Sequence, residues 1–149
     1  MSRKRKREPP ERWECVSDHE RFVRIFASMI DSPAFRALSQ IAKRIYFILK
    51  NEYRGNYTKN NIKCPYSTMM SYGISRNSIS PALRLLESLG FIERDSGALM
   101  RTETIFHFSD KWKEVKDIKT AKKIRADLQK QIKFEKESRK KLVDEYGDK

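Results

Sequence analysis

Glycine is scarce in this 149-residue chain: there are five, none grouped, so no loop reads as the glycine-rich cradle that holds a phosphate. Histidine and cysteine are scarcer still. His19 and His107 stand alone, and Cys15 and Cys64 lie far apart with no histidine at ligand spacing, so neither a zinc site nor a disulfide framework is expected. A reduced, cytoplasmic setting follows. No apolar run is long enough to cross a membrane, and the charged start continues into Glu8-Pro9-Pro10-Glu11 instead of a signal-peptide core. Acids are outnumbered 20 to 33 by lysine and arginine, a net charge of +13. The expected partner is therefore a polyanion, with DNA, RNA and an acidic membrane surface all open on charge alone.

The same scarcity argues against catalysis. A nucleophile paired with a base, a carboxylate pair in a pocket and a metal constellation are all missing from the pattern. Glu87, Glu93, Asp95 and Glu103 read as surface charges. Nicking of DNA by a tyrosine needs metal-binding histidines beside it, and no histidine pair is present. The chain is expected not to be an enzyme and to need no cofactor or metal.

What is present is concentrated between Pro65 and Phe108. Pro65 suits the first turn of a helix, where the amide it lacks has no partner anyway, and Ser67 to Tyr72 continue that turn with Met69 and Tyr72 as inward residues. Gly73 stops it by entering the left-handed region, Ile74 fills the angle, and Ser75 is an N-cap for the next helix. Ile79, Ala82, Leu83, Leu86 and Leu89 recur every three or four residues and form one apolar stripe. Arg76, Asn77, Ser78, Ser80 and Arg84 fall on other faces and are side chains that bond base edges and phosphates. Gly90 caps the helix. Phe91-Ile92-Glu93-Arg94 then reads as a strand, Asp95-Ser96-Gly97 as a turn, and Thr102 to Phe108 as the returning strand, a hairpin flanked by Arg94 and Arg101. Pro81 sits inside the second helix, so that helix either begins as a 3₁₀ turn or kinks.

Within Ser32 to Trp112, the segments Ser32-Pro33-Ala34-Phe35-Arg36-Ala37-Leu38-Ser39, Tyr53-Arg54-Gly55-Asn56, Tyr66-Ser67 and Leu86-Glu87-Ser88-Leu89-Gly90-Phe91-Ile92 resemble winged helix-turn-helix proteins of bacterial plasmids, phages and integrated elements. Some of those are like the N-terminal domains of replication initiators and others are small regulators. The resemblance covers a little over half of the chain. It implies a mostly helical domain with a small β-hairpin that prefers certain duplex DNA sequences, in transcription regulation or in plasmid or phage replication control. It places Arg76, Asn77, Ser78, Ser80 and Arg84 in the recognition positions. A nucleoid-associated location in the cytoplasm follows from it. Two other readings stay open: a winged helix that docks a protein in a replication or partition assembly, and an RNA-binding protein.

The rest of the chain divides around this core. Residues 1–17 form a polar, basic arm without fixed structure, in which Arg3, Lys4, Arg5, Lys6 and Arg7 read either as a solvated tail or as DNA contacts. In a eukaryotic cell the same block would read as a nuclear import signal. Residues 18–112 make the DNA-binding domain. Phe22 to Met29 is expected to lie against its core as a short helix or strand. One long helix is predicted from Ser32 or Pro33 to Tyr53, with Leu38, Ile41, Ala42, Ile45, Tyr46 and Leu49 on one face. A short strand near Asn61 to Lys63 is expected to join the hairpin, and Lys63, Ser67 and Thr68 stand at a helix entrance that attracts phosphate. Trp13 and Trp112 read as packing anchors. Residues 113–149 form a charged helix whose thin stripe, Ile118, Ala121, Ile124, Leu128 and Ile132, needs a partner. Pairing into a homodimer, folding back on the core, and standing alone in solvent are the three outcomes, and the imperfect repeat argues against a long coiled coil.

Overall fold

Three side-chain caps divide the helical part of the chain. In the computed structural model, which describes residues 21–55, 59–95 and 104–147, the hydroxyl of Ser32 accepts from the Phe35 amide at 3.2 Å and that of Ser39 from the Ala42 amide at 3.2 Å. The carboxylate of Asp117 accepts from the Thr120 amide at 2.9 Å. Each satisfies an amide that a helix start would otherwise leave unpaired. The elements are α1 (Ala27–Ile30), α2 (Pro33–Ala37), α3 (Gln40–Glu52), β1 (Ile62–Lys63), α4 (Tyr66–Ser71), α5 (Arg76–Ser88), β2 (Ile92–Asp95), β3 (Ile105–Phe108), a 3₁₀ turn at Lys111–Glu114, and α6 (Ile118–Tyr146). The fold is thus mostly helical with a small antiparallel sheet of order β1-β3-β2.

Several sequence expectations are corrected by these caps. The single helix expected from Ser32 to Tyr53 is two helices, because Leu38 is extended (ψ 143°) and Ser39 caps a new start. The charged C-terminal helix begins at Ile118 and not near Lys113, since Asp117 is extended and caps it. The segment from Phe22 to Met29 contributes only Ile25 and Met29 to the core; Phe22, Val23 and Phe26 are exposed. Ile41 stands at the exposed edge of α3, and Tyr72, expected inside, is exposed and accepts a hydrogen bond from Asn51 Nδ2 at 3.3 Å. Pro65 is the residue before α4 and not within its first turn.

The core is built from the predicted stripe of α5, where Ile79, Ala82, Leu83, Leu86 and, just past the helix end, Leu89 are buried, and α5 packs on α3, whose Ala42, Ile45, Tyr46 and Leu49 are buried. Leu85, outside the predicted stripe, is buried as well and lines a cleft against α6. Burial of each large side chain stabilises by about 1.5–3 kcal/mol, so this interface sets the position of α5. Gly73, at φ +80°, donates its amide to the Met70 carbonyl at 2.8 Å and ends α4, and Ile74 is buried between the two helices. After α5 the chain closes in the pattern of a Schellman motif: the Gly90 amide donates to Glu87 O at 3.0 Å and the Phe91 amide to Leu86 O at 2.9 Å, with Gly90 at φ +82°. Phe91 then drops into an aromatic cluster, edge-on to Phe35 and Tyr46 and stacked on Trp112 with centroids 6.0 Å apart. Trp112 is the packing anchor expected of it; Trp13 lies outside the described residues.

The sheet is short but cross-braced. Ile62 pairs with Phe106 and Ile92 with Phe108 across the central strand β3, so the strand expected near Asn61 to Lys63 does join the hairpin. Asn60 adds a rung through its side chain: Oδ1 accepts from the Phe108 amide at 2.7 Å and Nδ2 donates to the Phe108 carbonyl at 3.0 Å. The tip of the hairpin, with Ser96, Gly97, Arg101 and Thr102, lies outside the described residues.

Of the three outcomes for the C-terminal helix, the structure has the fold-back. α6 packs on α2 and α5, burying Ala121 and Leu128 and half-burying Ile124 and Ile132. Arg125 fixes its first half by donating to the Ala37 carbonyl at 3.0 Å, which α2 leaves without a helical partner. Of the stripe predicted to need a partner, Ala121, Ile124, Leu128 and Ile132 are thus covered within the chain, and Ile118, at the first position of α6, is exposed. No helix among the described residues is long and apolar enough to cross a membrane.

Candidate nucleic-acid interface

The outward face of α5 is fixed by its inward one. At about 100° per residue, Asn77, Pro81, Arg84 and Ser88 fall opposite Ile79, Leu83 and Leu86, and Arg76 and Ser80 lie beside them. Arg76, Asn77 and Ser80 are exposed, Pro81 and Arg84 half-buried. Ser75 occupies the N-cap position as expected, but its hydroxyl bonds that of Ser78 at 2.7 Å instead of capping an amide. That bond takes up the hydroxyl of Ser78, which is half-buried. Pro81 does not break α5: the helix runs unbroken from Arg76 to Ser88, and the Ser78 amide reaches Ser75 O at 2.9 Å in a 3₁₀-type first bond.

The two remaining described arginines of the predicted set are engaged. Arg84 makes a two-pronged ion pair with Glu135 of α6, at 2.7 and 2.9 Å. Donating to the Glu135 carboxylate raises the Arg84 pKa, and the same pairing holds the Glu135 carboxyl below its ordinary range. Arg94 on β2 is paired with Glu87 of α5, which ties the hairpin base to the helix. Lys63 is exposed on β1, Ser67 is exposed on α4, and Thr68 is half-buried there. Arg101 and the block Arg3, Lys4, Arg5, Lys6, Arg7 lie outside the described residues.

The structure adds three side chains that sequence reading missed. Glu135, Lys136 and Arg139 of α6 stand across from α5 and, with Tyr66, Arg76 and Arg84, line a cleft of about 510 Å³. Four cations face one carboxylate there. A second cleft of about 390 Å³ lies on the other side of α6, and Asn77, Pro81, Ile132 and Lys136 line both. Periodicity showed that α6 is basic outside its stripe, but gave no sign of the element it meets.

The hairpin base carries a histidine paired with a carboxylate. His107 Nε2 meets Asp95 Oδ2 at 2.9 Å and Nδ1 meets the Asn60 carbonyl at 2.9 Å. The Asp95 hydrogen bond, foremost, raises the His107 pKa above its ordinary 6.5. A group whose folded pKa is raised contributes its stability fully below the unfolded value and loses it as pH rises through the folded one. The exposed Asp95 carboxylate limits this to no more than about 0.5 kcal/mol. An NMR titration is therefore expected to show a His107 midpoint above 6.5 that falls in Asp95→Asn, with thermal stability of the native chain slipping slightly above that midpoint. An unchanged midpoint would remove the ion pair from the account. Cys64 is buried, which with the nearby Glu52 pushes its thiol up to about 11 and keeps it protonated at neutral pH.

Compared with protein families, curated proteins and solved structures, the chain matches none. The functional reading therefore stands on the geometry.

Proposed function

We propose that this chain binds duplex DNA with a preference for certain sequences, and performs no chemistry on it. In this reading α3, β1, α4, α5 and the β2–β3 hairpin form a winged helix, with α5 the helix that enters the major groove. The observation that carries it is the exposure of Arg76, Asn77 and Ser80 together on the N-terminal half of a helix whose other face is locked into the core. Arginine is suited to guanine and asparagine to adenine in the major groove, and serine to either base edges or phosphate. The hairpin, Lys63 and the basic arm would then hold the backbone, and the net charge of +13 would draw the duplex in. The role expected is in transcription regulation or plasmid or phage replication control.

The test is selection from a random duplex pool, at two salt concentrations, with the native chain and with Arg76→Ala/Asn77→Ala. The native chain should enrich one motif, and the double variant should lose that enrichment while keeping salt-sensitive binding. Removing a side chain that bonds a base edge well is expected to reduce discrimination at that base by about 1–3 kcal/mol. Binding without enrichment in the native chain would leave only a non-specific DNA coat. A second reading, docking of a protein, is favoured by the far end of α6, where Leu142, Val143 and Tyr146 are all more than half exposed. Failure to bind any duplex, single strand or structured RNA would move that reading to first place.

A further inference from the structure

An α-helix with its side chains is about 10–12 Å across, and the major groove is about 12 Å wide, so the groove admits one helix. Two packed helices have axes about 8–10 Å apart and together span about 20 Å. In this chain α6 crosses α5 on the ridge of Asn77 and Pro81: Ile132 and Lys136 face that ridge, and the two clefts open on either side of it. That ridge is the side of α5 turned away from the core, the side a groove would receive. Major-groove entry by α5 and the docked position of α6 therefore exclude each other.

The way α6 is held there is also informative. Its first half is anchored by apolar burial at Ala121 and Leu128 and by the Arg125 bond to α2. Over the ridge itself it is held by Ile132, which is half-buried, and by the Glu135 carboxylate on Arg84. A carboxylate forked on an arginine uses the same donor geometry that a phosphate would use. From Arg139 onward α6 is exposed and buries no side chain among the described residues.

We infer that the C-terminal half of α6 is a built-in cover for the DNA-reading face of α5, in which Glu135 occupies on Arg84 the place of a backbone phosphate, and that duplex DNA displaces it. This rests on the reading of α5 as the recognition helix. Binding is then an exchange: the Arg84–Glu135 pair opens, Arg84 takes a phosphate, and Lys136 and Arg139 move with the lifted helix. Weakening the pair favours DNA, and fixing α6 forbids it.

Two measurements test this on the full chain. Glu135→Gln keeps size and polarity while removing the charge, and is expected to tighten duplex binding roughly two- to fivefold, the range an exposed ion pair commands. For the lock, Ile41→Cys on α3 and Lys136→Cys in the C-terminal half of α6, both lining the smaller cleft, are introduced in a Cys15→Ser background and bridged with a bis-maleimide. The bridged chain should lose at least about tenfold in affinity for the selected duplex relative to the same double variant capped with a monofunctional maleimide. Circular dichroism of the two forms controls for folding. If bridged and capped chains bind the duplex equally, with the Arg76/Asn77 dependence intact, the cover is overturned and the DNA reading survives. If neither binds any duplex, both fall.

Discussion

Gly90→Ala is expected to cost far more stability than Gly73→Ala, although both glycines sit at the end of a helix with φ near +80°. The left-handed conformation alone costs a residue with a Cβ about 1–2 kcal/mol. At Gly73 that is the whole penalty, because the nearest atom to a Cβ would be Arg44 Nη2 at 3.8 Å. At Gly90 the added carbon would lie 2.6 Å from the Trp112 amide nitrogen and 2.7 Å from the Lys111 carbonyl carbon. Those atoms are backbone, held by the Trp112 amide bond to the Gly90 carbonyl at 3.0 Å, and so cannot turn aside as a side chain would. Overpacking adds about 1–3 kcal/mol or more, for a total of roughly 2–5 kcal/mol. Against a domain stability of about 5–15 kcal/mol, the midpoint of thermal unfolding should fall by on the order of 10 °C or more. Chemical denaturation of the two variants side by side checks this, and equal losses would mean that the 3₁₀ turn does not press on Gly90.

Pro81→Ala should act in the other direction. Pro81 is the sixth residue of α5, where its missing amide leaves the Asn77 carbonyl without its helical donor. Proline in a helix interior is about 3 kcal/mol worse than alanine. Part of the gain is offset, because proline also restricts the unfolded chain by about 0.4–1 kcal/mol, and the ring packs near Ile132 in the flanking clefts. A net stabilisation of about 1–2 kcal/mol is expected, read as a higher denaturant midpoint with an unchanged slope. A loss of stability would show that the proline ring contributes more to the α5–α6 packing than the helix loses to it.

Local physics was readable from the residues, and long-range partnership was not. Gly73 and Gly90 announce their turns because a positive φ leaves a mark on residue choice. The α5 stripe announces its buried face because burial repeats at the helical period. The break between α2 and α3 was hidden for the same reason: Leu38, Ile41, Ala42 and Ile45 keep a helical rhythm across it, and a serine that caps looks like a serine that is merely exposed. Asp117 was overlooked in the same way within a run of charges. For α6, the stripe stated that something must cover it but carried no record of what. Arg84 could be placed on the outward face, yet Glu135 lies 51 residues further along, and nothing local marks a carboxylate in a basic helix as its mate. The candidate interface was therefore half legible, with α5 supplied by the sequence and its opposing wall by the fold.

The stacking of Trp112 on Phe91 has a consequence for any motion of α6. With the 3₁₀ turn seated on Gly90 and the indole fixed in the aromatic cluster, the helix that follows is tethered at its root, a few residues before Asp117. Glu135 then meets Arg84 at an effective concentration set by this short leash, of order millimolar, whatever the amount of protein in solution. Dilution leaves that contest unchanged, so at a given salt the cover would weaken binding to a duplex by one fixed factor, whereas salt and the number of phosphates offered would change that factor.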